Sequence, residues 1–236
     1  MSTETCPDCG KSFKSLGHHW RYKNSHRPKL SDQQLEILTG LVMGDATVHR
    51  PDGKNARISC EMTNESYLIY VSSKLKIMSQ GVKLKHTSEE CAERARISGF
   101  RPNAKAKNYS PMYRWSCKAH PDIEEYREWY SGGKKVWPDN IYLTPTVLKH
   151  WYCCDGNLEV RGNHLCLSFG LSNEADNKNK INNMFEESGL AEPTWTDYID
   201  KEGYRNAQIS FGVDDSKDIL SYMGDPLPGF EYKWGK

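Results

Sequence analysis

Apolar residues fall into a helical rhythm soon after Ser31. In DQQLEILTGLVMGD (32–45), Leu35, Leu38, Leu41 and Val42 lie on one stripe, which predicts a helix capped near Ser31. Gly40 and Gly44 stand four apart inside it, a costly choice unless another backbone approaches closely. The predicted helix stops at Asp45, where a carboxylate meets the negative end of the helix dipole. A cation bound at that point would remove the conflict. The pattern recurs 110 residues later. LTPTVLKHWYCCDG (143–156) has Thr144 as cap, Pro145 in the first turn and an end at Asp155-Gly156.

The segments after the two helices repeat as well. ISCEMTNE (58–65) lies over LSFGLSNE (167–174), and both alternate apolar and polar residues as strands do, with a helical stretch after each. The chain therefore reads as an internal duplication, helix–strand–strand–helix twice over, with a strand pair and a helix completing each copy. Its fold class is α+β, an αββαββα unit used twice.

LTGLVMGDA and LTPTVLKHWYCCDG resemble the paired signature helices of the LAGLIDADG homing endonucleases, single-chain type. WYSGGKKVWPDNIYLTP (129–145) and the terminal GFEYKWGK are similar to further elements of one branch of that family. The resemblance spans about residues 32–236. It implies a pseudo-twofold protein with paired central helices and two saddle-shaped antiparallel sheets lying in the DNA major groove. It implies Asp45 and Asp155 meeting at the centre to hold Mg²⁺ between the scissile phosphates, and cleavage of both strands of a long, partly degenerate duplex. His150 and Cys154 stand where the first helix has Gly40 and Gly44, which predicts less symmetric packing on that side.

The chemistry agrees. Hydrolysing one phosphodiester per strand needs metal-activated water and charge neutralisation, and hard carboxylate oxygens suit Mg²⁺. Each half should also supply a cation to steady transition-state charge. Lys135 and Lys233 occupy matching places near the end of each copy, with Lys134 a competitor of Lys135. Bases would be read from alternating strand residues. The candidates are Arg57, Ser59 and Glu61 on a second strand and Lys83 and Lys85 on a third. Arg94, Arg96, Arg114 and Lys118 are placed in a later strand region. Arg161, His164, Ser168, Arg205 and Gln208 form the polar set of the second half. Which face turns to DNA stays open, since a slip of one residue flips the set. RISGFRPNAKAKNYSPM (96–112) reads as a basic, mobile loop, and unequal halves predict an asymmetric target.

Ahead of the duplication, CPDCGKSFKSLGHHWRYKNSHRPKL (6–30) resembles a Cys2His2 zinc finger with altered spacing. Cys6 and Cys9 form a CxxC knuckle that lets two thiolates reach one Zn²⁺. His19, or His18 in its place, is the third ligand candidate and His26 the fourth. Six cations, Arg21 and Arg27 among them, face two acids here, which suits phosphate contact, and the module reads as a tether. Domain limits are expected at 1–30, 31–142 and 143–236. The remaining cysteines, including adjacent Cys153-Cys154, show no second CxxC and read as core residues.

Net charge is only +1, but residues 1–173 carry 25 Lys+Arg against 18 Asp+Glu and residues 174–236 carry 7 against 13. A basic body and an acidic final segment permit nucleic-acid binding through one surface, with the acids expected on outer helices. No apolar run is of membrane-spanning length, and the first residues lack the order of a signal peptide, so an intracellular monomer is expected. Double-stranded DNA is the expected partner. An RNA-binding intron maturase and a non-catalytic DNA-binding regulator are the alternatives on the same scaffold.

Overall fold

The computed structural model describes every residue except 1, 2, 50–54, 100, 132, 133, 163, 202 and 204, and only the backbone at 21, 24, 77, 131, 134 and 161. Arg21 and Arg161, both expected to touch DNA, and Lys134 therefore lie outside the described side chains. No helix is long and apolar enough to cross a membrane among the described residues.

A small module comes first: β1 (Glu4–Thr5), β2 (Ser12–Phe13) and α1 (Leu16–Tyr22), followed by a 3₁₀ turn at Asn24–His26. The first large unit holds α2 (Asp32–Met43), β3 (Ala46–His49), β4 (Arg57–Met62), α3 (Glu65–Leu75), β5 (Ser79–His86), α4 (Ser88–Ile97) and β6 (Met112–Cys117). A short hairpin of β7 (Tyr130–Ser131) and β8 (Lys134–Lys135) leads to α5 (Pro145–Asp155). The second unit continues as β9 (Gly156–Arg161), β10 (His164–Gly170), α6 (Lys178–Glu187), β11 (Thr194–Ile199), β12 (Arg205–Ser210) and α7 (Val213–Met223), closing on a 3₁₀ turn at Glu231–Trp234.

Each unit contains a four-stranded antiparallel sheet, ordered β3-β4-β6-β5 in the first and β9-β10-β12-β11 in the second. In both, the strands run first, second, fourth, third in chain order. The expected duplication is present, with two differences in the first copy. Its last helix is replaced by 3₁₀ turns at Pro121–Ile123 and Glu125–Arg127, and α4 is inserted between the third and fourth strands. A capping box nucleates α4: Thr87 accepts from the Glu90 backbone, and the Glu90 carboxylate accepts from the Thr87 N–H. Arg94 and Arg96 consequently sit on a helix and not on a strand. Arg96 pairs with Glu93 and donates to the Ala104 carbonyl at 2.7 Å, so the segment expected to be a mobile loop is tied back.

The two units join along α2 and α5. An added Cβ at Gly40 would lie 2.4 Å from the Val147 carbonyl oxygen and 2.6 Å from His150 Cβ, and one at Gly44 only 2.2 Å from Cys154 Cβ. The glycines of α2 thus form sockets for the side chains of α5. His150 and Cys154 are what the glycines receive, and they complete the packing that they were expected to disturb. His150 is buried and kept neutral by desolvation, its pKa falling to about 3, while its Nδ1 lies 2.6 Å from the Tyr67 hydroxyl on α3. One continuous core runs from the module's Leu16 and Trp20 through Leu38 and Leu41 to Trp151, Phe169 and Phe185.

The module is docked to the body and does not hang from it as a tether. Lys118 pairs with Glu4 and lies 5.8 Å from the centre of the Trp20 ring, which removes it from the DNA-contact set. The Leu30 N–H donates to Asp122 at 3.0 Å, and buried His120 meets the Pro28 carbonyl at 2.9 Å. Arg27, expected to reach DNA, is partly buried in this junction and donates to the Trp20 carbonyl at 3.4 Å.

Replacing Gly40 by Ala should therefore destabilise the protein by about 1–3 kcal/mol through overpacking. Gly170→Ala, with nothing within 4 Å of the added methyl group, should change stability little. Urea unfolding of the two variants checks this; equal stabilities would contradict the socket.

Candidate active site and nucleic-acid surface

Helix α2 ends at Met43, so Asp45 lies one residue past the Gly44 cap, whereas Asp155 is the last residue of α5. The glycine sockets bring the two helix ends together: the Cβ position at Gly44 is 3.5 Å from Asp155 Oδ2. Trp151 Nε1 donates to the same oxygen at 3.1 Å and orients it. Crowding by protein raises the pKa of Asp45, opposed by Lys135 and Lys233. Asp155 is pushed up to about 7, by desolvation first and then by the Asp45 charge. Asp155 is half-buried and Asp45 exposed, and the Asp45 charge opposes ionisation of Asp155 while Lys135 favours it.

Lys135 and Lys233 arrive on different backbones, a strand and a 3₁₀ turn, yet both meet carbonyls just ahead of an aspartate. Lys135 Nζ donates to the carbonyls of Met43, at 3.0 Å, and Gly44. Lys233 Nζ donates to those of Tyr152 and Cys153, at 3.2 and 2.7 Å. Each lysine caps the helix end beside its own aspartate, where orphan carbonyls and the negative dipole favour a cation. Two of an ammonium's three donors are used by these carbonyls. Asp45, Lys233, Cys153 and Asn64 help line a cavity of about 410 Å³ that opens at this point. Burial raises the thiol pKa values of Cys60, Cys153 and Cys154, consistent with core cysteines.

Sequence reasoning missed Glu174. Glu174 is buried, 3.8 Å from Lys135 Nζ, and its charge acts on Asp155. The repeat gives no signal for it, since Glu65, its counterpart in the first copy, is exposed.

Strand register settles which sheet residues share a face. In the first sheet Ile58, Cys60 and Met62 point to the core, and Arg57, Ser59 and Glu61 to the outer face. Arg114 lies opposite both Glu61 and Lys83 across the ladder. Glu61 pairs with Arg114, whose Nε is 2.6 Å away, and with Lys85. Partial burial opposes ionisation of Glu61, yet these two cations hold it below the ordinary carboxylate range. His49 Nε2 lies 2.7 Å from the Ser59 hydroxyl on the same face, an addition to the expected set. In the second sheet Gln208 pairs with Gly170 and Thr196, and Ser168 with Ser210, while His164 is exposed at the end of β10. Arg205 is three residues from Gln208 and so points to the opposite face, where Asp197 and Asp176 clamp it at 2.7 and 2.6 Å. It does not belong with Gln208 as a base-reading residue.

The module gathers Cys6, Cys9, His19 and His26, whose ligand atoms lie within 4.8 Å of one another. His18 is turned away toward Tyr22, with ring centres 5.1 Å apart, so His19 takes the third position. Phe13 stacks on His19 at 4.0 Å. Desolvation, then His26 and nearby lysines, lowers the His19 pKa.

A family model described as the LAGLIDADG DNA endonuclease family matches residues 35–191. The chain belongs to this family. Among curated proteins it is similar to a cytochrome b mRNA maturase, bI2, of Debaryomyces hansenii, 24% identical over 220 residues that cover 90% of this chain and 77% of the relative. Among solved structures it is similar to the homing endonuclease I-WcaI bound to its DNA recognition sequence, with TM-score 0.68, 13% identity and 90% coverage of each chain. The LAGLIDADG fold accounts for the paired α2 and α5, and the zinc-finger-like module stands before it.

In metal-free protein the raised Asp155 pKa means that the folded state holds a proton which the unfolded chain has released. Stability should therefore fall as pH rises from about 4 to about 7. Asp45→Asn removes the neighbouring charge and should lower the Asp155 midpoint, followed by carboxyl NMR in the presence of chelator. An unchanged midpoint would show that the two carboxylates are not coupled.

Proposed function

We propose that this LAGLIDADG chain is a site-specific DNA endonuclease that hydrolyses both strands of a long, asymmetric duplex, with Asp45 and Asp155 holding the divalent cations. The observation that carries the reading is the meeting of the two helix ends, which brings the carboxylates close enough for the Asp45 charge to act on Asp155. Their hard oxygens fit Mg²⁺, which when bound would supply activated water and neutralise phosphate charge. Trp151 holds Asp155 in place. Lys135 and Lys233 are anchored by helix carbonyls, Lys233 keeping a third donor for a phosphate oxygen while Glu174 engages that of Lys135.

Base reading falls to the outer sheet faces: Arg57, Glu61, Lys83, Lys85 and Arg114 with His49 and Ser59 in one half, and His164, Ser168 and Gln208 in the other. The first face gathers four cations around Glu61, whereas His164, Ser168 and Gln208 are the described readers of the second, which supports unequal half-sites. Residues 1–30 act as a zinc module docked ahead of halves at 31–142 and 143–236. Cys6, Cys9, His19 and His26 suit one structural Zn²⁺ by number, chemistry and proximity. The protein works as an intracellular monomer, since both halves of the site are present in one chain.

A second reading, intron maturase, is favoured by the similarity to the Debaryomyces maturase. Intron RNA would then be bound as well as, or in place of, DNA.

Incubating a randomised duplex library with the protein, with and without Mg²⁺, tests the proposal. Cut ends sharing one long motif are expected only with metal, and Asp45→Asn and Asp155→Asn should abolish cutting while retaining DNA. Retention of DNA without cutting by the unaltered protein would overturn the nuclease reading, and tight intron-RNA binding alone would favour the maturase. Elemental analysis should find about one Zn per chain, lost on Cys6→Ser. A zinc content near zero would contradict the module's assignment.

A further inference from the structure

The two sheets match position by position, because both run in the order first, second, fourth, third strand. Ser59 pairs with Ser116 across β4 and β6, and Ser168 pairs with Ser210 across β10 and β12. These serine pairs occupy equivalent places, as the repeat of ISCEMTNE in LSFGLSNE requires. Two residues further along β4 and β10 the likeness ends. Glu61, Arg114 and Lys83 form a row across the first sheet, and Gly170, Gln208 and Thr196 form the equivalent row across the second. Ala46 pairs with Cys60 and Gly156 with Phe169, so Glu61 and Gly170 stand level with Asp45 and Asp155. These are the last outer-face rows of each ladder before the joined helix ends.

The first row is built to donate. Arg114 Nε and Nη2 lie 2.6 and 2.5 Å from Glu61 Oε1, and Lys85 holds the other carboxylate oxygen. A guanidinium gripped along its Nε–Nη2 edge keeps its end-on N–H pair, on Nη1 and Nη2, for a second partner. Glu61 thus fixes the direction in which Arg114 offers these donors. Arg114 is exposed, and so is Lys83 beside it.

The second row carries no charge. Gln208 and Thr196 are exposed, and neither side chain has a partner among the described residues. An added Cβ at Gly170 would meet nothing within 4 Å, so an open notch adjoins Gln208 where Glu61 adjoins Arg114. In the major groove guanine shows two acceptors, N7 and O6, which the N–H donors of arginine or lysine match. Adenine shows an acceptor at N7 and a donor at N6, which a glutamine amide matches, and a threonine methyl suits the thymine methyl.

We propose that the two rows read the innermost base pairs of the half-sites with opposite preference. Arg114 and Lys83 take guanine, with Glu61 as the positioning residue of Arg114. Gln208 takes the adenine of an A·T pair, and Thr196 joins it as a further reader of that face. Both preferences rest on the proposed binding of duplex DNA to the outer sheet faces, and hold whether or not the strands are cut.

The test mixes the full-length protein with a randomised duplex library without Mg²⁺ and sequences the DNA retained. One motif is expected, with a G·C pair and an A·T pair on opposite sides of its centre. Gln208→Arg should turn that A·T pair into G·C, and Arg114→Gln should turn the G·C pair into A·T. Each base preference should shift by about tenfold, with the other positions unmoved. Glu61→Gln should keep guanine but weaken its preference by about threefold, with the same total DNA retained. Arg205→Gln, on the opposite face of β12, should leave the motif unchanged. All variants should keep the circular dichroism of the unaltered protein. A motif that Gln208→Arg and Arg114→Gln leave unaltered, or alter on the same side of its centre, would overturn the proposal, as would failure to retain any duplex. An undiminished guanine preference in Glu61→Gln would overturn its positioning role. Exchanged preferences in a protein that cuts nothing once Mg²⁺ is added would uphold the two rows and overturn the endonuclease reading alone.

Discussion

The close approach of α2 and α5 is the constraint on which the rest of the structure depends. Two helices that touch backbone to side chain at Gly40 and Gly44 bring their C-terminal ends within reach of each other. Carboxylates placed there meet two negative helix ends and each other, with Asp155 the more enclosed of the two. The protein compensates only in part. Lys135 and Lys233 satisfy the terminal carbonyls, Trp151 fixes Asp155, and the Asp45 charge still raises the pKa of Asp155. This is the stability a fold gives up at a site that needs a cation.

The same constraint explains the asymmetry of the interface. A symmetric pair would place glycine opposite glycine, whereas here the sockets lie on α2 and the inserted groups on α5. His150 is therefore a packing residue, kept neutral and tied to Tyr67, although its type invites a catalytic role. The two sheets inherit the asymmetry. One presents a charged network around Glu61, the other a largely uncharged surface around Ser168 and Gln208, with Arg205 withdrawn to the far side.

Features fixed by local spacing were legible in the sequence. The two helices ending in aspartate, the strand pairs after them and the Cys6, Cys9, His26 set each depend on residues close along the chain, and the duplication confirmed one copy by the other. Features decided by distant packing were not. The choice of His19 over His18 depends on which way α1 turns its faces, and the docking of the module depends on Lys118 and Asp122, far along the chain. Arg94 and Arg96 lie on a helix because the Thr87-Glu90 capping box starts one where a strand is expected. The facing of Arg205 is legible in its odd separation from Gln208, which sets the two on opposite faces. The capping role of the lysines needed the folded helix ends, because nothing in GGKKVWP or EYKW names the carbonyls they meet.

On the endonuclease reading, Asp45 and Asp155 act together as one cation site. Electron paramagnetic resonance of Mn²⁺ titrated into the protein bound to retained DNA tests this most directly. Bound Mn²⁺ should be lost or strongly reduced in both Asp45→Asn and Asp155→Asn, with DNA still held. Mn²⁺ binding that survives both substitutions unchanged would contradict a shared site.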